Sequence, residues 1–407
     1  MNYRKYESKK DKKAVFRILN ECGWTDDEKS KYLNIHLEQG RTIVSEMNYS
    51  VEAMAVSVIG EMKYQEEMMK FSAITGVVIG LIARKQGLAG QITAQRIALD
   101  ALDGAEVCGL SYFEQGFYNN LGFGNGNYNN QISFCPSTLN LTKKVRIPVR
   151  LTKKDWEKIH KNRLQRMMYH GAINLTDICT KSEMNEAKNS FGFGYTDEEG
   201  NLTHHIWLTG KGKENGPFWV WWFAYQNYEQ MLELFALLKS FGDQIKLVSM
   251  VEPYNIQVQD LLSKPFFYRG ISEKSKYENK IKASSWWQFR ILDMEKCLKK
   301  THLSCEEFKF NLEVTDTIKD FLSKDSQWKG IGGKYVITLG ENSKAEKGMD
   351  NSLPTMKASI GAFSRLWLGI RNATSLSVTD DLKATPKLLK KLDSCLRFPK
   401  PGYDWDF

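Results

Sequence analysis

Apolar positions along this chain switch between two periods. From Ala73 to Ile82 they are nearly continuous and rich in Val and Ile, the pattern of a strand buried on both faces. Further on, Leu88, Ile92, Leu99 and Leu102 fall at helical spacing, which predicts a helix with one buried face. Between them lies Arg84-Lys85-Gln86-Gly87-Leu88-Ala89-Gly90, so the order is strand, basic glycine-containing turn, helix. Upstream, residues 14–22 read as a short helix. Gly23 to Asp27 break it, and Thr25 or Asp26 can cap the helix that follows. Strand-like runs cover 41–47 and 53–60 before the central strand, and another, Val107 to Phe113, follows the central helix.

Beyond Leu139 the pattern restarts. Residues 139–151 read as a crossing between domains, and Asp155 to Tyr169 as a helix. Asn189 to Leu208 reads as a hairpin turning at Glu199-Gly200-Asn201. Strands near 216–225 and 245–250 flank a helix at 228–241, with no basic glycine turn among them. From Trp286 the character changes again. Strands are expected at 287–292, 308–315, 333–339 and 355–358, and helices at 294–301 and 386–396. Ile360, Phe363, Trp367 and Ile370 share a helical face, and the polar stretch 341–354 reads as a mobile loop. Trp and Met stripes in this last third suit core packing or a lipid pocket. The resulting domains are 1–140, 141–285 and 286–407.

The turn at 84–90 carries the first chemistry. Amides in the opening turn of a helix lack intrahelical acceptors, and the helix dipole favours an anion there. Gly87 and Gly90 admit a ligand close to the backbone, and Arg84 and Lys85 add charge. The stretch suits a pyrophosphate, but it is neither Gly-x-Gly-x-x-Gly nor a nucleotide P-loop.

Composition narrows the class. With 407 residues, 42% hydrophobic and 26% charged, the chain reads as a multidomain globular protein. It has no apolar run long enough to span a membrane. The basic start at Arg4 to Lys13 lacks an apolar core and is not a secretory signal. Seven scattered cysteines fit reduced thiols in a cytoplasmic protein rather than a zinc site or redox pair. Adjacent strand residues face opposite ways, so His204 and His205 make a poor joint ligand, and no metal is expected. The net charge of +9 is spread along the chain without a basic-aromatic block, which argues against nucleic acid.

Arg84-x-x-Gly87-x-Ala89 resembles the Arg/Gln-x-x-Gly-x-Gly/Ala signature of GNAT acetyltransferases, which holds the pyrophosphate of acetyl-CoA. The wider pattern resembles the enhanced intracellular survival (Eis) family of GNAT enzymes. It includes Glu114-x-x-x-Tyr118-x-x-x-Gly122-Phe123-Gly124, Trp287-x-Phe289-Arg290-Ile291-Leu292-Asp293 and Leu368-Gly369-x-Arg371-x-Ala373-Thr374-Ser375-Leu376. Leu389-x-x-x-Leu392-Asp393 and a terminal acid-phenylalanine pair complete it. The resemblance implies an α/β (α+β) architecture: tandem GNAT-like domains with mixed sheets, the second without cofactor, then a sterol-carrier-like domain. It implies acetyl-CoA contacts at Val77, Val78, Ile79, Lys85, Gln86, Gly87, Leu88, Ala89, Gly90, Phe113 and Glu114, with Arg84 beside them. It implies Tyr118 as proton donor, the Phe407 C-terminal carboxylate as base, amine acetylation on polycationic substrates, and a homo-hexamer. Gln86 and Leu81 depart from the family, which more often has a basic residue and a proline there.

The residues suit that chemistry. A strand amide near Val77 to Ile79 can meet the developing oxyanion. Tyr118 can protonate a leaving thiolate. The tail from Phe398 to Phe407 alternates aromatics with acids, as if its rings were docked. Asp404 and Asp406, with Asp26, are candidate contacts for a cationic substrate. A non-catalytic coenzyme A- or lipid-binding protein is the alternative.

Overall fold

The computed structural model of the chain describes all residues except 1–2, 26–29, 113, 187, 211–213 and 267–268. Two compact units emerge: residues 1–127, 169–176 and 285–407 form one, and residues 128–168 and 177–284 the other. No described helix is long and apolar enough to cross a membrane.

The first unit is built on a mixed sheet. Tyr3–Lys5 (β1), Arg41–Met47 (β2), Ser50–Tyr64 (β3), Glu67–Ile79 (β4) and Val107–Ser111 (β5) lie side by side in chain order. The sheet then continues through Trp287–Ile291 to Gly124–Asn125, so a strand from the last third completes a sheet begun by the first. Every pairing is antiparallel except β4 with β5. β3 lies between β2 and β4, and Val51 through Val58 are all buried, the polar Glu52 and Ser57 among them. Ser8–Glu21 (α1) and Ser30–Gln39 (α2) cover one face, where Val15, Ile18 and Leu37 pack on Val44, Met54, Val56 and Val78. Leu88–Leu102 (α3) links β4 to β5 across the other face, and Gln115–Asn119 (α4) follows β5.

Two departures from the sequence reading bear on the site. The central strand ends at Ile79, and Leu81 and Ile82 stand exposed in a single 3-10 turn over Leu81–Ala83. In α3, Leu102 is also exposed, while Gly90, Thr93, Arg96 and Asp100 are buried. The helix is enclosed on more than one side. Asp100 accepts from Ser72 Oγ at 2.8 Å and Arg96 Nη2 at 2.9 Å. Phe321, from the last third, closes over Gly90, where an added Cβ would sit 2.6 Å from its ring. A one-face apolar pattern cannot announce a helix covered again by a distant segment.

The last third also carries a five-stranded sheet, ordered Lys344–Lys347, Gly333–Leu339, Phe308–Thr315, Thr355–Ser359, Leu382–Lys383. The polar stretch expected as a mobile loop therefore contributes an edge strand. Short, charged edge strands look like loops in sequence.

A buried ion pair ties this third to the first sheet. Arg290 Nη2 meets Asp316 Oδ2 at 2.6 Å with both side chains fully buried. Arg290 also donates to the Leu121 carbonyl. Asp316 accepts from the Ile331 amide at 2.9 Å and the Ile318 amide at 3.3 Å. Removing one partner strands the other charge, so Asp316→Ala is expected to cost about 3–5 kcal/mol, read as a lowered urea midpoint. Adding Arg290→Met should recover most of that loss. A single variant as stable as wild type would contradict this role.

The second unit holds a seven-stranded sheet, ordered Lys280–Ser284, Asn129–Phe134, Val248–Val251, Phe218–Ala224, Leu202–Gly210, Ser190–Thr196, Val149–Leu151. The expected hairpin is present, pairing Ser190–Thr196 with Leu202–Gly210. The histidine pair is structural. His204 Nε2 lies 3.1 Å from Glu233, while His205 Nδ1 lies 2.6 Å from Asn162 Oδ1 and its Nε2 accepts from Trp222 Nε1 at 2.9 Å. Burial pushes His205 down to about 3. Among the described residues, no cluster of His, Cys, Asp or Glu is placed to hold a metal.

Candidate active site

The site begins where two parallel strands part. β4 pairs with β5 from Phe71–Val107 to Ile74–Leu110, and there the pairing stops. β4 nevertheless runs on to Ile79. The departure coincides with a register slip against β3, which pairs Val56 with Gly76 and Ser57 with Ile74 and leaves Thr75 unmatched. Such a bulge bends and twists its strand. Gly76 to Ile79 thus present one backbone edge to an open wedge between β4 and β5. Val77 and Ile79 are half-buried there, while the Val78 side chain packs beneath α1.

The basic turn stands at the end of that edge. Arg84, Lys85, Gln86 and Gly87 are all exposed. Lys85 and Gly87 both have left-handed backbone, at φ 61° and 77°. Gly87 is the N-cap residue of α3 and supplies no side-chain cap. Among the described residues, no protein acceptor takes the amides of Arg84 through Gly90. Amides without a protein acceptor among the described residues, two adjacent cations and a helix N-terminus suit this turn to cradle a bound anion. Gly87 has open space above it, the nearest atom to an added Cβ being Gln91 Nε2 at 3.6 Å. Gly90 differs, because its missing side chain makes room for Phe321. The Leu88 side chain is buried, so its part in the cradle is its amide.

Tyr118 reaches the wedge from the α3 face. It packs with Ile74, Ala94, Ile97 and Leu110 and is flanked edge-on by Phe117 and Phe123. Glu114 caps α4 by accepting from Gly116 N at 3.2 Å and Phe117 N at 2.5 Å, so its carboxylate is committed to holding Tyr118 in place. Gly122, at φ 80°, turns the chain directly after α4, where an added Cβ would strike Ile360 and Arg290. Only 5% of Tyr118 is exposed, and its hydroxyl makes no hydrogen bond among the described residues. Burial, and behind it the Glu114 carboxylate, pushes it up to about 12, so it remains a neutral O–H donor.

The tail arrives on the opposite face. Strand side chains alternate, so Phe71 and Ala73 point away from Ile74 and α3. Phe407 meets Phe71 edge-on at 5.5 Å, and Tyr403 stacks on Phe289 at 4.4 Å. Tyr403 and Trp405 are buried. Residues 169–176 clamp the tail: His170 O accepts from Gly402 N at 2.9 Å, and Asp404 Oδ1 accepts from Ile173 N at 3.2 Å. The rings are docked, as their alternation with acids suggested. Asp404 and Asp406 are exposed, although Asp404 is partly engaged by that backbone contact. Phe113 and Asp26 lie outside the described residues.

The bulge at Thr75 was not foreseen from the sequence. Its one available signal was Thr75-Gly76, a polar and a small residue interrupting an apolar run.

No family model and no curated protein matches the sequence. Solved structures do. A conserved protein of Enterococcus faecalis V583, a probable N-acyltransferase, superposes with TM-score 0.81 at 17% identity, covering 100% of this chain and 99% of its own. A GCN5-related N-acetyltransferase of Anabaena variabilis gives TM-score 0.81 at 16% identity, with both chains covered completely. The chain has the GNAT fold. Eis1 from Mycobacterium abscessus shares it over both whole chains, with TM-score 0.77 at 12% identity. In this GNAT fold Tyr118 packs against Ile74 and Leu110, the last paired residues before β4 and β5 part.

Proposed function

We propose that the chain is an acetyl-CoA-dependent N-acetyltransferase acting on primary amines of cationic substrates, of the aminoglycoside, polyamine or lysine kind. The observation that carries this reading is the run of amides from Arg84 to Gly90, without a protein acceptor among the described residues, at the mouth of an open strand edge. A diphosphate suits the cradle, and an extended amide-bearing arm suits the edge of Gly76 to Ile79.

Acetyl transfer forms a C–N bond and breaks a C–S bond. The amine loses one proton and the departing thiolate gains one. Tyr118 gives its proton to sulfur. A phenol at about 12 is a weak donor to a thiolate whose acid ionises near 8.5. The same burial raises the bound thiol too, which narrows the gap. The Phe407 carboxylate accepts the amine's proton, directly or through water. An edge amide of Gly76 to Ile79 faces the oxyanion. The finer resemblance belongs to the same proposal: an Eis-like chain divided near 140 and 285, with a sterol-carrier-like last domain and a hexameric assembly.

Calorimetry tests the cradle. One acetyl-CoA should bind per chain, and Gly87→Trp should weaken it at least about tenfold, because a bulky residue at positive φ both strains and fills the cradle. Two sites per chain, or unchanged affinity in a folded variant, would overturn the assignment.

A further inference from the structure

The bulge that opens the wedge also places a side chain in it. Thr75 is the unmatched residue of β4, one position beyond the last β4–β5 pair. Its Oγ1 lies 2.8 Å from Nε2 of His36 on α2. His36 is 8% exposed, while Thr75 stays half-open. His36 neighbours Leu37, which packs on the α1 face of the sheet, so Thr75 belongs to that face together with Phe71 and Ala73. On that face the Phe407 ring meets Phe71. Thr75 is therefore the half-open residue of this face that follows the buried Ala73, just beyond the last β4–β5 pair.

We propose that Thr75 is the acceptor-side contact of the transferase site: its hydroxyl, held in place by His36, receives an N–H of the incoming alkyl amine beside the thioester. The inference rests on the transferase reading above. Whichever of Thr75 and His36 donates to the other, the threonine oxygen keeps a lone pair for an amine N–H. Burial pushes His36 down to about 4, so the imidazole is neutral near pH 7 and does not repel a cationic substrate. His36 is thus a positioning residue, acting through Thr75. The site selects for an acceptor that brings a good hydrogen-bond donor at its nucleophile; a thiol offers only a weak one and a thiolate none.

Steady-state kinetics of the full chain, with spermidine as acceptor and acetyl-CoA as donor, test this. Thr75→Val preserves shape and removes the oxygen. It should lower kcat/KM for spermidine by about ten- to a hundredfold, as for a lost hydrogen bond to a charged group. The acetyl-CoA dissociation constant should stay within about twofold. Thr75→Ser should keep most activity. His36→Gln should reduce activity in the wild-type background but not further in Thr75→Val, since the two act as one unit. Unchanged spermidine kinetics in Thr75→Val would overturn the inference and leave the transferase reading intact, as would an equal weakening of acetyl-CoA binding. Absence of any acetyl transfer by the wild-type chain would remove the transferase reading, and this inference with it.

Discussion

Tyr118→Phe is expected to lower turnover by about 10² to 10⁴, the usual contribution of a positioned general acid, while acetyl-CoA binds nearly as before. The geometry makes this variant unusually clean. The hydroxyl makes no hydrogen bond among the described residues, so removing it breaks nothing in the fold. The ring keeps its edge contacts with Phe117 at 4.8 Å and Phe123 at 6.2 Å. Loss of rate with an unchanged melting temperature and unchanged cofactor affinity identifies a chemical role. A lowered melting temperature with normal turnover per folded molecule identifies a packing tyrosine instead.

Appending a single alanine after Phe407 is expected to cut turnover by about a hundredfold or more. Every ring of the tail stays in the sequence, and only the carboxylate moves. Displacement of a reacting group by about 1 Å can cost that much. The docked rings make the test specific. Tyr403 and Trp405 are buried and residues 169–176 hold the chain just before them, so the extension should leave the tail seated. A tag at the N-terminus serves as control. If the extended chain binds acetyl-CoA and turns over normally, the carboxylate at Phe407 is not the base, and Asp404, Asp406 or a solvent relay takes its place.

Part of this was legible in the sequence. The order of strand, exposed basic turn and helix was, because its cause is local: glycine at a helix start, adjacent cations, and apolar periods that change from strand to helix. The docked tail was too, since three aromatics in seven residues cannot stay solvated without cost. The wedge was not. It arises from a register slip between β3 and β4 and from where pairing with β5 stops, both long-range facts. The α3 burial pattern was misread for a similar reason, since Phe321 lies more than two hundred residues from Gly90. Arg290 and Gly122 belonged to recognisable motifs, but their purpose, a buried ion pair behind α4, needed the fold. Thr75 carried only a faint mark, and His36 none.

On the proposed function, the wedge between β4 and β5 moves an acetyl group to an amine. Thiol release from acetyl-CoA, followed with the purified full chain against a panel of amines, measures this directly. Release should depend on the amine, with one acetylated amine formed per thiol. Tight binding of acetyl-CoA without amine-dependent release across the panel would contradict it and identify a coenzyme A-binding protein instead.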